Sequence, residues 1–209
     1  MGMIVIGVLT VFWLVNMVLK AKGNTFVQYL ATPLITLSSI GIALVGIYTT
    51  GLTFTNMCIL IGLIVAVVAD SMLMIKEIDL LKHGIVFFLI THIFYIIGLS
   101  SVSIYTSVSA GVTAAMIAII VVMFNLLKNL NKELLIPVVV YMFVLCSMVV
   151  ISFGVPNTPE LKIGTICFLI SDIILAIDAF VRPFNRAVTY TWLFYGPAQY
   201  IIALSCFKL

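Results

Sequence analysis

Residues 56–75 read NMCILIGLIVAVVADSMLMI. This run is continuous and apolar, and it is long enough as an α-helix to cross the roughly 30 Å hydrocarbon core of a bilayer. It does not alternate apolar with polar residues, which excludes a strand of a membrane β-barrel. One ionisable side chain, Asp70, stands inside it. A carboxylate at membrane depth costs a few kcal/mol or more, so its presence points to use. Residues 161–181, LKIGTICFLISDIILAIDAFV, repeat the arrangement around Asp172.

The rest of the chain has the same character. Of 209 residues, 64% are hydrophobic and 8% are charged. Soluble domains carry about 25% charged residues, so this chain cannot coat a water-facing surface and reads as an integral membrane protein. Eight apolar runs follow one another, at approximately 3–19, 31–50, 56–75, 84–100, 109–127, 134–153, 161–181 and 188–206. The reading is an all-α membrane protein with eight transmembrane helices in one domain spanning 1–209. The first run lacks a basic leader and a small-residue cleavage site, so it reads as a helix and not as a removable signal.

Basic residues set an expected orientation. Lys20 and Lys22, Lys76 and Lys82, Lys128 and Lys132, and Arg182 and Arg186 fall in alternate loops, whereas the opposite side holds Lys162 and Lys208. The positive-inside rule then puts the four basic loops in the cytoplasm and both termini outside. The net charge of +3 is dispersed in pairs with no basic patch, which excludes a nucleic-acid partner. The four cysteines all lie in apolar runs without a CxxC, and they read as core residues. The absence of sorting motifs favours a bacterial inner membrane.

Internal similarity suggests two parallel four-helix repeats. Asp-x-x-Leu-x-Ile recurs in runs three and seven. Pro33 and Pro137 open runs two and six, and Asn16 and Asn125 lie near the ends of runs one and five. Parallel repeats in membrane proteins tend to place a site between the halves.

Depth estimates gather the polar groups into one layer. Counting about 1.5 Å per residue from the basic side puts Asp70 about 9 Å in, Tyr195 about 12 Å, His92 about 13 Å, Asp172 about 15 Å and Gln199 about 18 Å. In run four, Gly84, Phe88, His92 and Tyr95 form one stripe at helical spacing, suited either to a cavity or to packing. In run eight, Tyr195 and Gln199 flank Pro197, which frees a carbonyl near Leu193.

Several chemistries fail on residue types. Two histidines are too few for a zinc site with its usual ligand set, and no metal or cofactor is expected. No lysine lies deep enough for a retinal Schiff base, and no G-x-S-x-G is present for serine catalysis. The glycine-rich surroundings of intramembrane aspartyl proteases are missing around both aspartates. Two carboxylates in low dielectric separate into a proton donor and an ionised base. Such a pair suits hydrolysis of an amphiphile with water as nucleophile. The rival is a small proton-coupled transporter using Asp70 and Asp172 as a relay. A third reading is a structural protein whose polar groups only fix helix packing.

The ADSML stretch, the G-x3-F-x3-H-x2-Y stripe, the SDIILA stretch and the YGPAQ-x-I stretch, in this order over eight helices, resemble the YhhN family of lysoplasmalogenases. The resemblance covers nearly the whole chain. It implies a hydrolase that cleaves the vinyl ether bond of lysoplasmalogens, giving a fatty aldehyde and glycerophospho-ethanolamine or -choline. It also implies that Asp70, Asp172 and His92 act catalytically; one aspartate would donate the proton and the other serve as base, and depth makes Asp172 the expected acid. Tyr95, Tyr195, Gln199 and Phe88 would contact the lysophospholipid. Two positions depart from the family pattern: Ala69 stands where glycine usually precedes the first aspartate, and Thr32 where lysine usually precedes the proline of helix two. If that lysine holds the phosphate, another cation must do so here, and Lys76 and Lys82 are the candidates on the same side.

Overall fold

The computed structural model describes residues 2–22, 25–75 and 80–209. Among the described residues there are eight helices and no strands: α1 (Gly2–Lys22), α2 (Thr25–Thr50), α3 (Phe54–Met74), α4 (Leu81–Ser100), α5 (Ser107–Leu127), α6 (Lys132–Gly154), α7 (Pro159–Ala176) and α8 (Ala187–Ser205). A π-helical turn, Ile177–Val181, continues α7. Seven helical spans, the last running from Pro159 to Val181, are long and apolar enough to cross a membrane. α8 carries three tyrosines, a glutamine and Pro197 and falls outside that set. Large apolar side chains such as Ile4, Val8, Ile117, Val122 and Phe143 are exposed on the outside of the bundle, as lipid contact requires. The chain is a multi-pass integral membrane protein.

The helix ends follow local chemistry. Thr53 caps α3 by accepting from the Asn56 amide, and Thr106 and Ser109 form a reciprocal capping box at α5. Asn131 caps α6 by accepting from the Leu134 amide. α2 starts six residues before its apolar run, so Pro33 lies inside the helix, and Pro137 likewise lies inside α6. Polar residues such as Gln28 continue the α2 helix beyond the apolar run that marked it in the sequence.

Six helices close a ring in the order α2, α3, α4, α6, α7, α8. α1 packs outside it against α2 and α8, and α5 packs outside against α6 and the π turn. The tightest joints use small residues, as close helix approach in lipid demands. A methyl group on Gly62 of α3 would collide with the Tyr95 ring of α4, and Gly98 of α4 lies against Cys58 and Thr55. Gly164 of α7 lies against Ala198 and Ile202 of α8. Gly62 and Gly164 each stand eight residues before an aspartate, Asp70 or Asp172. Thr91 Oγ1 donates to the Gly62 carbonyl at 3.2 Å and Thr55 Oγ1 to the Gly98 carbonyl at 3.1 Å, which fixes α3 against α4.

Candidate active site

Asp70 and Asp172 line one cleft. The ends of α1, α2, α3, α7 and α8 surround it, contributing Lys20, Gln28, Met74, Asp178 and Val188 at its rim. This is the end to which the basic loops belong. The space between atoms in the cleft comes to about 770 Å³ including its open mouth.

Each carboxylate is held by a hydroxyl from the neighbouring helix. Thr36 Oγ1 of α2 donates to Asp70 Oδ2 at 2.5 Å, and the Tyr195 hydroxyl of α8 also interacts with that carboxylate. Asp172 accepts a short hydrogen bond from the Tyr141 hydroxyl of α6. Asp70 is buried, while Asp172 is half-buried, so the aspartate with the deeper sequence estimate is the more open of the two. Its openness arises because it borders a second, apolar space on its far side.

Behind Asp70 a relay of hydrogen bonds enters the core. Tyr95 Oη donates to Gln199 Oε1 at 2.8 Å, and Gln199 Nε2 donates to Tyr195 Oη at 3.0 Å. Three of the sequence candidates thus form one chain ending at Asp70. Tyr195 reaches the cleft, whereas Tyr95 and Gln199 stand behind it and orient the tyrosine that does. Phe88 lines the cleft and meets the rings of Tyr195 and Phe168 edge-on, at 5.5 and 6.0 Å between centroids.

His92 is placed differently. It is fully buried among Phe168, Tyr141 and Tyr95, with ring centroids at 4.6, 5.3 and 6.5 Å, and it does not line the cleft. The polar group beside its ring is the Phe88 backbone carbonyl one turn earlier, and neither nitrogen makes a well-aligned hydrogen bond among the described residues. Its direct neighbour on the way to the carboxylates is Tyr141, the donor to Asp172. Asp178 accepts from the Phe184 amide at 3.1 Å and stands at the cleft rim.

Of the two candidate cations, Lys82 is exposed and away from the cleft, and Lys76 lies outside the described residues. The cation that lines the cleft is Lys20, from the end of α1. Its ammonium donates to Thr32 Oγ1 at 2.6 Å and lies 4.6 Å from the centre of the Trp192 ring. Sequence reasoning used Lys20 only to orient the helices. It also passed over Thr36 and Tyr141, which follow the paired prolines Pro33 and Pro137 by three and four residues and were legible as a matched pair. Ser171, beside Asp172, lines the cleft with a buried hydroxyl that has no hydrogen-bond partner among the described residues. Among those residues no three His, Cys, Asp or Glu side chains gather as a metal site would require.

The arrangement can hold an anion at its rim, present two carboxylates to a bond one layer deeper, and admit water from the mouth. A model of the YhhN family matches residues 24–206 of the chain. Neither a curated protein nor a solved structure matches it.

Proposed function

Because the chain belongs to the YhhN family, we propose that it is an integral membrane hydrolase that cleaves the vinyl ether bond of lysoplasmalogens. The observation that carries this reading is the pair of aspartates, delivered by α3 and α7, on one cleft with a lysine at its rim. Hydrolysis begins with transfer of a proton to the alkene carbon beyond the ether carbon, which leaves an oxocarbenium ion. Water adds to that cation and loses a proton, and the hemiacetal collapses. The fatty aldehyde and the glycerophospho-alcohol are released, with one water consumed. A proton donor and a nearby carboxylate that stabilises the cation and accepts a proton from water are the two parts required.

Asp172 is assigned as the donor and Asp70 as the stabilising base. Two hydroxyls point at Asp70, an environment built for a carboxylate that accepts. Asp172 has the single hydroxyl of Tyr141 and faces both the cleft and the apolar space, where a vinyl ether would lie. Ser171 is placed to hold the attacking water. His92 and Gln199 act through Tyr141 and Tyr195, as positioning residues.

Lys20 takes the head-group phosphate. Its ammonium sits on the Thr32 hydroxyl, so α1 brings a positive charge to the position where the family pattern carries it on α2. Lys20→Met is expected to raise KM about tenfold with kcat little changed, the size of a lost charge-assisted hydrogen bond. Lys82→Met is expected to leave both unchanged. Steady-state kinetics in detergent micelles checks this, and the opposite pattern would move the phosphate to α4.

We also read the chain as two parallel four-helix halves with both termini on the side away from the cleft. The neighbour relations support this: exchanging α1–α4 with α5–α8 carries the α3–α4 joint onto α7–α8 and the α2–α8 contact onto α4–α6. The equal spacing of Gly62 and Gly164 from the two aspartates supports it further.

The deciding experiment offers purified protein a lysoplasmenyl phospholipid, its saturated alkyl ether analogue and its acyl ester analogue. Aldehyde should appear from the first alone. Proton-coupled flux in liposomes without aldehyde release would instead favour the transporter.

A further inference from the structure

We propose that the apolar chamber behind Asp172 holds the hydrocarbon chain of the substrate and sets its preferred length. The inference rests on the hydrolase reading above. The chamber lies between α4, α5, α6 and α7 with its π turn, and the space between atoms there comes to about 570 Å³ including its open mouth. Ile85, Met123, Val138, Met142, Ala176 and Phe180 line it, and Asp172 and Tyr141 are the polar groups on its border. Two of these are methionines, whose unbranched side chains adapt to a flexible guest.

Its position gives the argument. Leu73, Phe88, Asp172 and Leu175 border both the chamber and the charged cleft. Passing across the bundle from the α1 side to the α5 side, a ligand meets Lys20, then the two carboxylates, then the chamber. A lysoplasmalogen has the same order: phosphate, glycerol, vinyl ether, hydrocarbon. With its phosphate at Lys20 and its chain in the chamber, the vinyl ether falls at the shared wall, where Asp172 stands.

A competing path runs over the outer groove between α1 and α8, lined by Trp13, Met17, Leu193 and Pro197. That groove also includes Lys20 and Trp192, but neither aspartate. A chain laid there would leave the cleft on the phosphate side of the carboxylates and carry the vinyl ether away from them. The order of groups therefore selects the chamber. The π turn fits the same purpose. One widened turn directs Asp178 to the cleft and Phe180 to the chamber, and such turns recur at functional sites.

The test measures binding and turnover separately. The binding probe is a series of saturated alkyl ether lysophospholipids of graded chain length, which carry no cleavable bond. For the native chain, affinity should rise by up to about fourfold per added methylene until the chamber is full. Val138→Phe and Ala176→Phe fill the chamber from two different helices, so a folding failure in one leaves the other informative. Each should shorten the length at which affinity stops rising and weaken the longest probe about tenfold. The short probes should bind as before. Leu193→Phe, in the outer groove, should change nothing. If Leu193→Phe shifts the length profile and the chamber variants do not, the chain lies in the outer groove and the proposal is overturned. Aldehyde release with an unshifted profile would overturn the chamber and leave the hydrolase reading intact. A shifted profile without aldehyde release would do the reverse.

Discussion

Asp172→Asn is expected to reduce kcat for lysoplasmenyl hydrolysis by about 10²–10⁴, the range for loss of a positioned proton donor. Asparagine has nearly the shape of aspartate, and its amide oxygen can still accept the Tyr141 hydrogen bond. The fold and the substrate contacts should survive, so KM should move little and the melting midpoint should stay near that of the native chain. Asp70→Asn should give a loss of the same order, because the oxocarbenium ion then forms without a carboxylate beside it. The Thr36 hydroxyl can still donate to the asparagine oxygen. The double variant should lose little more than either single one, since the two groups serve one proton-transfer sequence. If either asparagine variant turns over at a near-native rate, the two-carboxylate mechanism is wrong.

The second large effect concerns stability. Gly62→Val is expected to cost about 3 kcal/mol, at the upper end for overpacking a close joint. The added Cβ would overlap the Tyr95 ring and press on the Thr91 carbonyl at 3.3 Å. Tyr95 is almost fully buried and bonded to Gln199, so it has nowhere to withdraw. For a chain of this size the melting midpoint should fall by about 6–12 °C. Activity should fall as well, because displacing Tyr95 disturbs the chain through Gln199 and Tyr195 to Asp70. Gly111→Val supplies the control: nothing lies within 4 Å of the new carbon at that exposed α5 position. Equal melting of the two variants would show that the α3–α4 joint yields more easily than its geometry implies.

The sequence revealed the elements of this molecule more readily than their facing. Eight helices were legible because a bilayer imposes length and composition on each span, and charge marks each break. Asp70 and Asp172 were legible because an intramembrane carboxylate is conspicuous. Rise per residue places a side chain at a depth, but it leaves open which neighbour that side chain meets. His92 illustrates the gap. It has the depth of the carboxylates, yet its ring points into an aromatic cluster. Lys20 illustrates the converse. It reads as a loop charge, but α1 continues to Lys22 and turns the ammonium over Trp192 into the cleft. Thr36 and Tyr141 were hidden for a different reason: a threonine or tyrosine in an apolar run is ordinary, and only its carboxylate partner gives it meaning.

The ring has a bearing on how the protein is made. A ribosome delivers helices in chain order, and the ring closes only where α8 meets α2, the last contact available to the nascent chain. α8 is also the span with the weakest apolar character, because Tyr195 and Gln199 belong to the interior. Its entry into the bilayer therefore depends on α3 and α4 waiting with Asp70 and Tyr95, the partners for those groups. Until then Asp70 has Thr36 but lacks Tyr195, and the cleft has no far wall. Biogenesis and the assembly of the site end in the same step, so a translation product stopped before α8 would carry both aspartates and no closed cleft.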